Sequence, residues 1–141
     1  MKIGEVLDKL DNLPYLAVSG DATLEQVADK ITDLRQVRGI YVVDEQGRLQ
    51  GTISLGALIR HVIEARNKPS FFVRSLLTRL TCQKVADIMD KHVIYARKSD
   101  ALDKAIDRMA GANIKEIPIV DDQGRIIANV GILDLWKLAG K

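Results

Sequence analysis

Residues 37–58 read VRGIYVVDEQGRLQGTISLGAL and residues 114–135 read IKEIPIVDDQGRIIANVGILDL, and the two stretches lie over each other without a gap. Asp44, Gln46, Gly47 and Arg48 fall on Asp121, Gln123, Gly124 and Arg125, and Leu58 falls on Leu135. Such self-similarity organises a fold, because each copy is one supersecondary unit repeated along the chain. Upstream, with one residue slipped, Leu24, Val27 and Ile31 fall on Leu102, Ala105 and Met109. Further back, KIGEVLDK resembles KVADIMDK, with Asp8 over Asp90. The order of elements is thus duplicated, giving a first half over 1–66, a connector over 67–83 and a second half over 84–141.

Each half has the same readable pattern. In the first, Leu24, Val27, Ala28, Ile31 and Leu34 recur at helical spacing after Asp21 and Thr23, which can cap the helix start. Ile40 to Val43 is β-branched and aromatic, Asp44 to Gly47 supplies turn chemistry, and Leu49 to Ser54 resumes the apolar run, so the stretch predicts a hairpin. A short strand over Tyr15 to Val18 precedes the helix, and a second helix is expected from Leu55 to Ala65. The second half repeats this β-α-β-β-α order with Val93 to Ala96, Ala101 to Ala112, Glu116 to Val120, Ile126 to Val130 and Ile132 to Leu138. The fold class is α/β in the broad sense, more strictly α+β. Neither three-stranded half easily covers its own sheet, so the two are expected to pack together through their sheets. The connector carries Pro69 followed by Phe71, Phe72, Val73, Leu76, Leu77 and Leu80 at roughly helical spacing, which predicts an additional helix.

Composition narrows the function classes. A hydrophobic fraction of 47% with 28% charged residues is that of a folded globular protein. The net charge is only +2 and the cations are interspersed with acids, so no basic stripe marks a nucleic-acid footprint. No run approaches the roughly 18 apolar residues of a membrane span, and MKIGEVLDKLDN lacks the apolar core of a signal peptide, so a cytoplasmic location without membrane insertion is expected. Cys82 is the single cysteine and reads as a small buried hydrophobe. His61, His92 and Cys82 have no metal-ligand spacing, and no phosphate-cradling glycine motif or Ser-His-Asp set can be assembled. Catalysis is not expected.

The second half, VADIMDKHVIYARKSDALDKAIDRMAGANIKEIPIVDDQGRIIANVGILDL, resembles a CBS (cystathionine β-synthase type) domain along nearly its whole length. The DIM opening, the aspartate-leucine helix start, the apolar-Pro-apolar-Val-Asp strand ending in a turn glycine and the closing aspartate-leucine occur in order. The first half resembles the same pattern more loosely. The resemblance implies a Bateman-type module: two CBS domains packed with pseudo-two-fold symmetry around two clefts. It implies an adenosine-containing ligand (AMP, ADP, ATP or S-adenosylmethionine) with no required cofactor, and control of a partner enzyme, channel or transporter. It also implies a homodimer. A module that dimerises with degenerate clefts and no ligand is the alternative.

Nucleotide-binding relatives carry Gly, two apolar residues, Ser or Thr, two variable residues and Asp at the last strand and helix. A hydroxyl at a helix start can meet a phosphate, and a carboxylate can accept both ribose hydroxyls. Here the motif is split. The first half, with Gly51, Thr52, Ile53, Ser54 and Ala57, keeps the hydroxyl and loses the carboxylate. The second, with Gly131 and Asp134, does the reverse. The resemblance therefore implies Asp134 for a ribose contact and Ser54, with Thr52 beside it, for a phosphate contact at the other cleft. An acid in a helix first turn and a helix N-cap are the purely structural readings of the two. Adenine is expected near Val93, Ile94, Tyr95 and Pro118 in the second half and near Leu16 and Ala17 in the first. Relatives often place a basic residue just before the apolar-Pro strand. Glu116 and Gly39 stand there instead, and Lys115 and Arg38, one position earlier, are the substitutes. An acid at that place repels a triphosphate.

Overall fold

A computed structural model describes residues 1–10, 14–33, 39–54, 56–57 and 84–139. The expected connector helix and Arg38 lie outside the described residues, and of the helix expected over 55–65 only the helical Gly56 and Ala57 are described.

The elements in chain order are α1 (Ile3–Leu7), β1 (Tyr15–Ser19), α2 (Leu24–Asp33), β2 (Gly39–Val43), β3 (Leu49–Ile53), α3 (Val85–Ile88), β4 (Ala96–Arg97), α4 (Leu102–Ala112), β5 (Glu116–Val120), β6 (Ile126–Gly131) and α5 (Ile132–Ala139). Two three-stranded sheets result, ordered β1-β2-β3 and β4-β5-β6. In each, the first pair is parallel and the second is an antiparallel hairpin. Even the irregularities repeat, with register shifts at Val42/Val43 and at Ile119/Val120. Thr23 is the cap of α2, since its Oγ1 accepts the Gln26 N–H at 3.2 Å while Gln26 Oε1 accepts the Thr23 N–H at 2.9 Å. That is a reciprocal capping box. β4 is shorter than the strand expected over 93–96, and residues 91–95 approach it without ladder pairing.

Side chains alternate across each strand, so every strand divides its residues between two layers. Ile40 and Val42 join Leu16, Val18, Leu24, Val27 and Ile53 in one core, while Ile117 and Ile119 join Ala96, Leu102, Ala105, Ile106, Met109, Val130 and Leu135 in the other. The opposite faces carry Tyr41 paired with Thr52 and Pro118 paired with Asn129. These faces meet across the halves, where the Tyr41 hydroxyl donates to Asn129 Oδ1 at 2.7 Å.

Two short helices cross between the halves. Ile3 and Val6 of α1 are fully buried in the core of the second half, where the Ile3 and Gly4 N–H groups donate to the carbonyls of Asp100 and Lys98, both at 2.9 Å. Reciprocally, Val85 of α3 is buried in the core of the first half, with the Val85 and Ala86 N–H groups on the carbonyls of Ala22 and Gly20 at 2.8 and 3.0 Å. The duplicated segments that aligned 2–9 with 84–91 are therefore exchanged. Helices of four and five residues are too short to stand alone, so docking on the opposite half is what forms them. The exchange ends at Asp90, whose N–H and carbonyl pair with those of Thr52 at 2.9 and 3.0 Å.

Candidate functional site

The meeting of the two sheets leaves a cleft of about 830 Å³ that both halves line. The first half contributes Gly39 to Tyr41 at the start of β2 and Thr52 to Ser54 at the end of β3. The second contributes the crossing segment at Asp90 and His92 to Ile94, the end of α4 into Lys115, and Glu116 and Pro118 of β5. Concave, mixed apolar and polar walls of this size suit a small organic ligand.

Of the residues anticipated from sequence, Thr52, Ser54, Val93, Ile94, Lys115 and Pro118 come together in this cleft. Ser54 Oγ accepts the Ala57 N–H at 3.0 Å, so it caps the helix that follows while lining the cavity. Thr52 Oγ1 donates to the Ile40 carbonyl at 3.1 Å. Tyr95 does not line this cleft: it is 42% exposed, it lines an adjoining pocket with Val93, Ile94 and Arg108, and the Arg97 guanidinium lies 5.9 Å from its ring centroid. Leu16 is buried in the first core, and Ala17 is exposed on the opposite face of β1. Asp134 stands half-buried in the first turn of α5 and does not line this cleft.

Sequence reasoning missed a buried polar chain that spans the interface. Asn129 is the one fully buried polar side chain among the described residues. Its Oδ1 accepts the Tyr41 hydroxyl and its Nδ2 donates to Glu116 Oε2 at 3.1 Å. Burial, reinforced by the Glu116 charge and then by Tyr15, pushes the Tyr41 phenol far above its ordinary range, so it stays protonated and donates. A signal was present in the strand IIANVG, where an amide interrupts a run that is otherwise apolar or small. Arg108, also on the cleft wall, is committed to Asp100 Oδ2 at 2.9 Å and to the Tyr95 carbonyl at 3.1 Å. The Arg97 backbone N–H does most to hold the Asp100 carboxyl below its ordinary range; desolvation opposes it and Arg108 adds to it. Among the described residues no group of three or more His, Cys, Asp or Glu is placed to hold a metal ion. No described helix is long and apolar enough to cross a membrane.

Comparison with known proteins places this geometry. The chain is 31% identical over 125 residues to the magnesium transporter MgtE of Thermus thermophilus, covering 86% of this chain and 24% of the transporter. It thus spans about a quarter of that relative's length. Among solved structures, the cytosolic domain of the Mg²⁺ channel MgtE in complex with ATP superposes with a TM-score of 0.70 at 27% identity, over 95% of this chain and 52% of that one. The CBS domain of a CBS domain containing membrane protein from Sphaerobacter thermophilus gives 0.72 at 27% identity, over 98% and 87% of the two chains. The CBS domain family matches twice, at residues 3–64 and 85–138. The family matches both of the duplicated halves, and the chain belongs to the CBS domain family as a tandem CBS domain pair.

Proposed function

We propose that this chain is a regulatory module that binds an adenosine-containing ligand in the Ser54 cleft and passes the bound state to a partner protein. The observation that carries this reading is the cleft itself: both halves line it, so an occupant bridges them and favours one relative arrangement over others. A hydroxyl at a helix start, the apolar surface of Ile94 and Pro118 and the polar rim at Lys115 suit a ring-plus-polar-tail ligand. The ATP complex of the related channel domain supports an adenine nucleotide as the class. The module acts by binding, and the regulated partner is an enzyme, channel or transporter. The transporter among its relatives supports the last of these. Association as a homodimer is part of this reading, supported by Leu133 and Trp136 of α5, which are 73% and 65% exposed. Sedimentation at micromolar concentration giving only a 15.6 kDa species removes that part.

Thermal melting with AMP, ATP, S-adenosylmethionine and adenosine tests the ligand class. A ligand present at 100 times its Kd raises stability by about 2.7 kcal/mol. Melting curves unmoved by all four favour the second reading, a structural dimerisation module. Two observations favour that alternative: Ser54 Oγ is already occupied as a cap, and Ala57 stands where the family carries a carboxylate.

A further inference from the structure

We infer that Glu116 sets the ligand preference of the Ser54 cleft, selecting cationic adenosine compounds over adenosine polyphosphates. The inference deepens the functional reading above and rests on it.

The direction of the buried polar chain carries the argument. An ionised carboxylate only accepts hydrogen bonds, so Asn129 must turn Nδ2 toward Glu116. Asn129 Oδ1 then faces Tyr41, whose hydroxyl must donate. Flipping the amide would set two acceptors against each other at Glu116. With Asn129 fully buried and Tyr41 5% exposed, that misfit would be unscreened by water. The donor chain from Tyr41 through Asn129 therefore ends on the Glu116 carboxylate and fixes it at the cleft wall. Sequence repetition places Gly39 at the equivalent position of the first half, so this fixed acid belongs to one repeat alone.

Among the described charges lining the cleft, Arg108 is held by Asp100 and the Tyr95 carbonyl, and the exposed cation of Lys115 is offset by the equally exposed Asp90, whose Oδ1 accepts the His92 N–H at 2.9 Å. A phosphate brought to Glu116 meets a like charge in a partly desolvated site, whereas a sulfonium or ammonium group meets an oriented acceptor.

Isothermal titration of the parent with S-adenosylmethionine, adenosine and magnesium-free ATP, each at low and high salt, tests this. The expected order is S-adenosylmethionine tightest and ATP weakest, with the gap narrowing as salt rises. Glu116→Gln keeps an oxygen for Asn129 and removes the charge, and it should lose about tenfold in the S-adenosylmethionine to ATP ratio. Glu116→Lys should reverse the order. If the parent binds adenosine yet ranks ATP equal or tighter, or if Glu116→Gln leaves the ratio within about twofold, Glu116 does not set the preference although the cleft still binds adenosine compounds. If the parent binds none of the three, the functional reading falls and this inference falls with it.

Discussion

Arg48 and Arg125 form an antiparallel bridge, each lying on the hairpin turn that its own half contributes to the interface. On either side of them the Leu49 N–H donates to the Gly124 carbonyl at 2.9 Å and the Ile126 N–H to the Gly47 carbonyl at 3.4 Å, which makes the contact symmetric in the repeat. Two cations meet here because each is engaged at home. Arg48 Nε reaches Asp44 Oδ2 at 2.8 Å, and Arg125 Nε reaches Asp121 Oδ2 at 3.1 Å. In both turns the aspartate Oδ1 also accepts two backbone N–H groups, from Gln46 and Arg48 or from Gln123 and Arg125, all at 2.9 Å. The glycines at φ 81° and 82° complete the turns.

A pH dependence follows. Desolvation alone would raise the Asp44 carboxyl, and the hydrogen bonds from Arg48 and Gln46 outweigh it, leaving it below its ordinary range. The Arg125 backbone N–H leads in lowering Asp121, with desolvation opposing and Gln123 adding to it. A carboxyl lowered by folding stabilises the folded state fully above its unfolded pKa of about 3.9, and this contribution is lost as pH falls through the lower folded value. Melting temperature should therefore hold steady above about pH 5 and fall below about pH 4, with a shallower acid limb in the Asp44→Asn, Asp121→Asn double variant. An unchanged acid limb would remove these turns as its source.

The exchanged segment packs tightly over the first sheet at Gly51. A Cβ there would lie 2.7 Å from Met89 Sδ and 2.9 Å from the Asp90 carbonyl oxygen. The equivalent strand position in the second half is Ala128, so the requirement is local to this crossing. Gly51→Ala should destabilise the protein by about 1–3 kcal/mol by overpacking and should displace Asp90 from Thr52. Denaturant unfolding measures the first effect and amide exchange at Asp90 the second. Parent-like values for both would mean that the crossing gives way easily.

The hairpins were legible in sequence because turn chemistry, strand composition and a gapless repeat all agree on them: Asp44 to Arg48 and Asp121 to Arg125 each build the same turn. Helices α1 and α3 were not, since four or five residues show no periodicity and their stability comes from the opposite half. The family motif located Ser54 and Thr52 at the cleft but carried no information about Asn129, whose role depends on Tyr41 from the other repeat. Interactions across halves are written in two places at once, and neither place is distinctive alone. The apolar run from Val93 was read as strand, yet regular pairing begins only at Ala96, and Tyr95, ahead of that pairing, is 42% exposed.

Tyr41→Phe separates the hydroxyl from the ring. The ring packs edge-on to Tyr15 with centroids 5.9 Å apart and would remain, while fully buried Asn129 loses a donor. A cost of about 1–3 kcal/mol is expected, measured by denaturant unfolding of the two proteins. A variant as stable as the parent would show that Asn129 does not depend on that bond.

Ala57→Asp restores a carboxylate three residues after Ser54, one turn along the helix that Ser54 caps. If the Ser54 cleft is the adenosine site, the new acid adds an acceptor for ribose hydroxyls, worth about 1.5–3 kcal/mol as a charged hydrogen bond, or roughly tenfold to a hundredfold in affinity. It also places a negative charge in a helix first turn, where the dipole favours it by about 0.3–1 kcal/mol, so the protein should fold at least as well as the parent. Ser54→Ala removes the cap and should cost about 1 kcal/mol in stability together with affinity. Asp134→Ala, by contrast, leaves this cleft untouched, because Asp134 does not line it. Titrating adenosine into the three variants distinguishes the outcomes: a gain in Ala57→Asp with no loss in Asp134→Ala locates binding at Ser54. A loss in Asp134→Ala with no gain in Ala57→Asp moves the site away from Ser54 and to Asp134.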